Sequence, residues 1–296
     1  MMATFRRRAR SEEARQSAEH VLFVEGKGDS CIDPVVLGEL LRGAISVKAL
    51  GSSFHIRSAA EALHKHHPRY YFLIDRDHYD DAFVEACWAT FPDPNTCNLL
   101  IWRRRELENY FLIPEYLVKS EYLAVSRDQL SQTILSHCRK LVFFDAANQV
   151  IVRIREALKE NWIRQFQKAS EVRTPEEAVA KLTALPELGA RKRATSRLLS
   201  KTAITKLFSE ILNELTGGER ALEYGTGRWL ELMRGKPVLP SVVSKCFRVS
   251  DAAGNVLQGP KSVSELAKDL VRKPMAEQPA DFRELARVIS DRVAAK

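Results

Sequence analysis

The chain has no C-x-x-C pair, and its five cysteines, Cys31, Cys87, Cys97, Cys138 and Cys246, are scattered and odd in number. That excludes a disulfide framework and a zinc knuckle, and it points to a reducing compartment. No apolar run approaches the roughly twenty residues that span a bilayer, so the expectation is no membrane. The first ten residues are rich in arginine, but Ser11-Glu12-Glu13 stands where a secretory signal needs an apolar stretch, and acids are scarce in transit peptides. A soluble cytoplasmic protein is expected. The phosphate-cradling spacing G-x-x-x-x-G-K-[ST] is also missing, so Gly26-Lys27-Gly28-Asp29-Ser30 is no P-loop and ATP hydrolysis by this chain is not expected. Internal repeats and low-complexity tracts are absent.

What the chain does have is length and positive charge. Its 296 residues, 45% of them apolar, suffice for one large domain or two modest ones with a true core. A net charge of +8 favours a polyanionic partner, because surplus Lys and Arg concentrate phosphate-bearing molecules nearby.

Two stretches organise the rest. His20-Val21-Leu22-Phe23-Val24 is an apolar run that stops at Glu25, with Asp29 four positions on, and Tyr70-Tyr71-Phe72-Leu73-Ile74 stops at Asp75 and Asp77. Apolar runs of this length, rich in β-branched and aromatic residues and flanked by helical patterns, read as central strands of a parallel sheet covered on both faces. Open α/β sheets place their chemistry at the carboxyl ends of such strands. Glu25, Asp29, Asp75 and Asp77 are therefore expected at one sheet edge, where a cation or a proton relieves their repulsion. A divalent-metal site is the reading.

Between and after these runs, Asp33 as cap and Pro34 in the first turn open a helix that Gly43 ends, Ile45–Leu50 is a second strand, and Gly51-Ser52-Ser53 leads into a further helix. A helix near Asp80–Phe91 and a strand at Leu99–Trp102 complete a β-α-β-α-β-α-β order, the repeat of a right-handed parallel sheet. From Glu115 to about Leu222 the pattern is helical, and the tail to Lys296 is helical too. The expected organisation is a basic lead-in at 1–19, an α/β core at 20–114, a helical region at 115–225, and a C-terminal helical segment at 226–296 packing back on the core. Three cationic stretches are candidate phosphate contacts, Arg6-Arg7-Arg8, Arg103-Arg104-Arg105 and Arg191-Lys192-Arg193, with solvated faces as the plainer alternative. Glu106 and Glu108 either pair with Arg103 to Arg105 or, in the case of Glu108, join the metal site. His64, His66 and His67 read as surface histidines, His78 as a possible substrate contact, and Trp102, Trp162 and Trp229 as core.

Glu25-Gly26 after one apolar strand and Asp75-x-Asp77 after another resemble the Toprim signature of topoisomerases, primases and overcoming-lysogenization-defect (OLD) nucleases. Asp29, Arg105-Glu106-Leu107-Glu108-Asn109-Tyr110, and Trp229 followed by Gly235-Lys236 look like the OLD-type branch. Within it the chain looks like the stand-alone Toprim effectors of anti-restriction-induced phage defence, which work beside an ABC-type ATPase. The resemblance implies a metal-dependent endonuclease with Glu25, Asp29, Asp75 and Asp77 around one or two Mg²⁺ or Mn²⁺ ions. It makes Glu25 a general base as well, Lys236 a stabiliser of phosphate charge, and Glu108 a further ligand candidate. It also implies an RNA substrate, tRNA ahead of DNA, a bacterial cytoplasmic setting, a separate ATPase partner and a homodimeric active state. The rival expectation is a non-catalytic Toprim module acting as an adaptor.

Overall fold

The computed structural model describes residues 20–26, 32–77, 79–158, 180–181, 184 and 186–294. Four short strands, β1 (Val21–Val24), β2 (Ser46–Ala49), β3 (Tyr70–Ile74) and β4 (Leu99–Ile101), form one parallel sheet in the order β2-β1-β3-β4. The register pairs Val24 with both Ala49 and Leu73, and Ile74 with Ile101, so neighbouring strands end at nearly the same level. β1 and β3 are buried along their whole length, as all-apolar central strands should be. β2, at the edge, is half-exposed and carries Lys48 outward. The protein is thus an α/β fold with a large helical part.

The crossovers are α1 (Asp33–Leu40), α2 (Ser53–Leu63) and α3 (Asp81–Thr90). α3 is capped by Asp80, which accepts a hydrogen bond from the Phe83 N–H at 2.8 Å. At α1 the expectation of an Asp33 cap is corrected. The N-cap position belongs to Ile32, and Asp33 enters the first turn with its side chain buried instead of capping. Arg42 and Gly43 both take left-handed φ after α1, which ends the helix where Gly43 was expected to.

Among the described residues the longer remaining helices are α4 (Arg127–Leu158), α5 (Pro186–Leu198), α6 (Lys201–Thr216), α7 (Leu239–Cys246), α8 (Pro260–Arg272) and α9 (Ala280–Ala294), with single turns at Pro114–Leu117 and Trp229–Leu232. By contacts the chain divides into one unit of residues 1–138 and 230–296 and a second of 139–229. The first boundary falls later than the expected 114/115 for a physical reason. Residues 116–124 are tied to the C-terminal helices: Tyr116 Oη donates to Gln278 Oε1, Ser120 Oγ to Asp269 Oδ2 at 2.7 Å, and the Ala124 N–H to the Cys246 carbonyl at 2.9 Å.

In the first unit, Trp102 stacks obliquely against Tyr110 and Phe282, all three fully buried, so β4, the segment behind it and α9 share one aromatic core. Trp229 is buried too; Trp162 lies outside the described residues. His64 departs from the surface reading: it is buried, its Nδ1 bonds the Ala60 carbonyl at 2.9 Å, and its Nε2 lies 4.0 Å from Cys97 Sγ.

Candidate functional site

Glu25 is the first residue after β1 and Asp75 the first after β3, and these strands are neighbours in parallel register. The two acids therefore arrive side by side. The Asp75 N–H donates to Glu25 Oε1 at 3.0 Å, so the backbone of one acid holds the carboxylate of the other. Gly26 then pairs with Gly51 through reciprocal hydrogen bonds of 2.8 and 3.0 Å, at φ values of 138° and 108° that only glycine adopts without strain.

Asp77 is exposed and adopts a left-handed φ of 46°, an uncommon conformation for a residue with a side chain. Its charge reaches Glu25 and raises that group's proton affinity. Asp29 and His78 fall outside the described residues.

A second wall comes from the segment behind β4. The 3-10 helix Leu107–Leu112 starts after Glu106, whose N–H donates to Asn109 Oδ1 at 3.1 Å. Asn109 in turn donates through Nδ2 to the carbonyls of Leu230 and Met233 at 3.0 and 2.7 Å. Glu106 accepts from the Lys236 N–H at 2.8 Å and from Arg234 Nε at 3.2 Å. Together they clamp the loop 233–236 against the sheet edge. Gly235 is required at that contact: a Cβ there would stand 2.8 Å from the Asn109 nitrogen and 2.9 Å from Glu108 Cβ.

The clamp delivers Lys236. Its Nζ donates to Asp75 Oδ2 at 2.5 Å, although the two are 161 positions apart in the chain. Burial works against the ammonium, but Asp75, Glu108 and Glu106 outweigh it and hold Lys236 protonated. Burial pushes the Asp75 carboxyl up, with Asp33 and Glu25 adding to that push and Lys236 opposing it. Burial also pushes Glu25 up to about 7, aided by Asp77 and Asp33 and opposed by the Asp75 N–H and Lys236. Glu108 goes up to about 7 for the same first reason, with Asp33 and Glu106 adding and Lys236 opposing. Its Oε2 is buried without a hydrogen-bond partner. The alternative of Glu106 pairing with the arginine run gives way to its bonds with Arg234 and Lys236.

Two contributors escaped the sequence reading. Asp33, read there only as a helix cap, is a buried carboxylate whose charge acts on Glu25, Asp75 and Glu108 at once. Asn109, quoted only as part of a motif, ties the two walls together. A buried acid directly before a proline is a weak signal, because the same pair so often merely starts a helix.

The arginine run faces inward. Arg103 forms a two-pronged pair with Glu85 at 2.8 and 3.0 Å, bonds Asp281 and Glu284 at 2.9 and 2.8 Å, and lies over Trp88 at 4.1 Å. Arg104 donates to the Leu230 carbonyl and lies over Tyr110, and buried Arg105 donates to the Leu232 carbonyl. These partners make the run a brace between β4, α3, α9 and the loop after Trp229. Lys192 and Arg193 are exposed on α5 in the second unit, where Arg191 bonds the Ala157 carbonyl at 3.1 Å. Arg6 to Arg8 lie outside the described residues.

Hard carboxylate oxygens around an orphaned buried oxygen on Glu108 fit Mg²⁺ or Mn²⁺ in kind. Among the described residues, no three His, Cys, Asp or Glu side chains yet stand close enough to hold an ion together, and the ammonium of Lys236 occupies Asp75. No helix among the described residues is long and apolar enough to cross a membrane. Compared with known protein families and with curated proteins, the sequence matches none of them.

Proposed function

We propose that the chain is a divalent-metal-dependent Toprim endonuclease of the OLD type, the toxic effector of a bacterial anti-phage defence system. Its substrate is RNA, tRNA ahead of DNA, and a separate ABC-type ATPase restrains it. The observation that carries the reading is the meeting of Glu25 and Asp75 at the ends of two neighbouring buried strands, with Asp77, Glu108 and Lys236 around them. The substrate, the ATPase, the cytoplasmic setting and an active homodimer rest on the resemblance in motif.

Glu25, Asp75 and Asp77 are the residues that would hold one or two Mg²⁺ or Mn²⁺ ions, with Asp29 and Glu108 as further ligands. When bound, such an ion acidifies water and neutralises charge on a phosphate oxygen. The chain's own groups have three tasks. Glu25, held beside Asp75 at the end of β1, accepts the proton of the attacking water. Lys236, held protonated by the acids around it, offers its charge to the scissile phosphate. Glu106 and Asn109 keep the Lys236 loop in place so that this charge is preorganised.

Glu25→Ala and Asp75→Ala are each expected to lower Mg²⁺-dependent cleavage of labelled tRNA by at least about a thousandfold, with far-ultraviolet circular dichroism unchanged. Cleavage by both variants in chelator-treated buffer at the wild-type rate would refute the metal mechanism. The Lys236–Asp75 bond favours one other reading, a metal-free adaptor module that uses the ammonium as a permanent counter-ion. Under it, purified wild-type protein cleaves neither tRNA nor plasmid at any Mg²⁺ concentration, and cells grow equally with wild type and Glu25→Ala.

A further inference from the structure

The aromatic residues of the first unit sort into two groups. Tyr70, Tyr71, Phe72, Trp102 and Phe282 are buried in the core, as expected for large apolar rings. Phe54, in the first turn of α2, is instead 74% exposed, and Phe83, in the first turn of α3, is 48% exposed. α2 follows β2 and α3 follows β3, and both strands flank β1 in the sheet. Both rings therefore stand at the carboxyl edge of the sheet, one on each side of the strand that ends at Glu25.

They are not isolated. Tyr79, in the loop after Asp77, stacks on Phe83 with centroids 5.1 Å apart and 17° between the planes. Arg57 is exposed, lies three residues after Phe54 on the same face of α2, and places its guanidinium 5.8 Å from the centre of the Tyr79 ring. One exposed ring on a surface is ordinary. Three rings and a guanidinium at the sheet edge that carries the acids are the combination that holds unpaired nucleotides, with bases stacking on the rings and a cation meeting the backbone. An apolar protein-docking patch would instead be expected to bring aliphatic side chains to its centre. Of the exposed aliphatic residues among those described, only Val35, at 36%, stands on a crossover helix, in the first turn of α1; Ile151, Leu158, Leu199, Ile204 and Val256 lie outside the sheet crossovers.

We infer that Phe54, Tyr79, Phe83 and Arg57 form a stacking platform for unpaired bases flanking the phosphate presented to Glu25 and Asp75. The inference rests on the nuclease reading and narrows it: the cleaved step belongs to a single-stranded loop or end, because bases inside a duplex offer no free face to a ring. Phe54 and Phe83 set the position of the strand and leave the acids untouched.

The test is fluorescence anisotropy of the full-length protein in chelator, titrated with a labelled single-stranded oligoribonucleotide and, separately, with its duplex. Phe54→Ala and Phe83→Ala are each expected to weaken single-strand binding by about tenfold, while Phe54→Tyr and Phe83→Tyr, which retain a ring, stay near wild type. Duplex binding should be weaker and indifferent to all four changes. Single-strand affinities of both alanine variants equal to wild type, or a wild-type preference for duplex, would overturn the platform and leave these rings to a protein partner. The nuclease reading fails separately: no cleavage by wild type in Mg²⁺ while the alanine variants still lose single-strand affinity would retain the platform on a non-catalytic protein.

Discussion

At the scale of single residues, the site is a set of acids kept from full ionisation by burial and by one another, with Lys236 as an internal counter-ion. Glu25 and Glu108 both have folded-state values near 7 against an ordinary 4.5. Each binds its proton more tightly in the folded chain. As pH rises from about 4.5 to about 7, the unfolded chain therefore releases protons that the folded one keeps, and stability falls through that window. The melting temperature of metal-free protein should decline over this range, and Glu25→Gln should flatten part of the decline. A melting profile of Glu25→Gln parallel to wild type across the window would contradict the assignment. The pair Glu25 and Asp75 was legible from sequence because each follows directly on an apolar run. Asp33 and Asn109 were not, because their role depends on what lies opposite them in space.

At the scale of elements, the decisive piece is the segment between Trp229 and α7, one helical turn at Trp229–Leu232 followed by a short loop. Its shape comes from Glu106 and Asn109, more than a hundred positions away, and from the absence of a side chain at Gly235. Gly235→Ala forces the loop off the 3-10 helix and should cost about 1–3 kcal/mol of stability. Because Lys236 is the next residue, cleavage should fall further than stability does; chemical denaturation and tRNA cleavage measured on the same preparation separate the two effects. The arginine run is the opposite case. Its composition suggested phosphate contacts, yet Arg103 joins α3 to α9 through Glu85, Asp281 and Glu284. Arg103→Met should therefore lower stability by about 1–3 kcal/mol and leave the salt dependence of nucleic-acid affinity unchanged. A shallower salt slope in that variant would return the residue to the phosphate backbone.

At the scale of the whole molecule, the sheet unit is assembled from both ends of the chain, and residues 139–229 form a unit of their own between them. The order of strands and helices was readable beforehand, because burial on both faces demands wholly apolar strands and amphipathic crossovers return each one parallel to the last. The boundary near residue 138 was not, since it depends on bonds between residues 116–124 and the C-terminal helices. Local pattern alone was thus enough for the α/β class, the two central strands and the acids at their ends, because period and residue type express burial and burial is a local demand. The folded chain decided which cation meets those acids, which arginines face inward and which aromatic rings stay outside. Each of these depends on pairs of residues far apart in sequence, and only the three-dimensional packing brings such pairs within hydrogen-bonding or stacking distance.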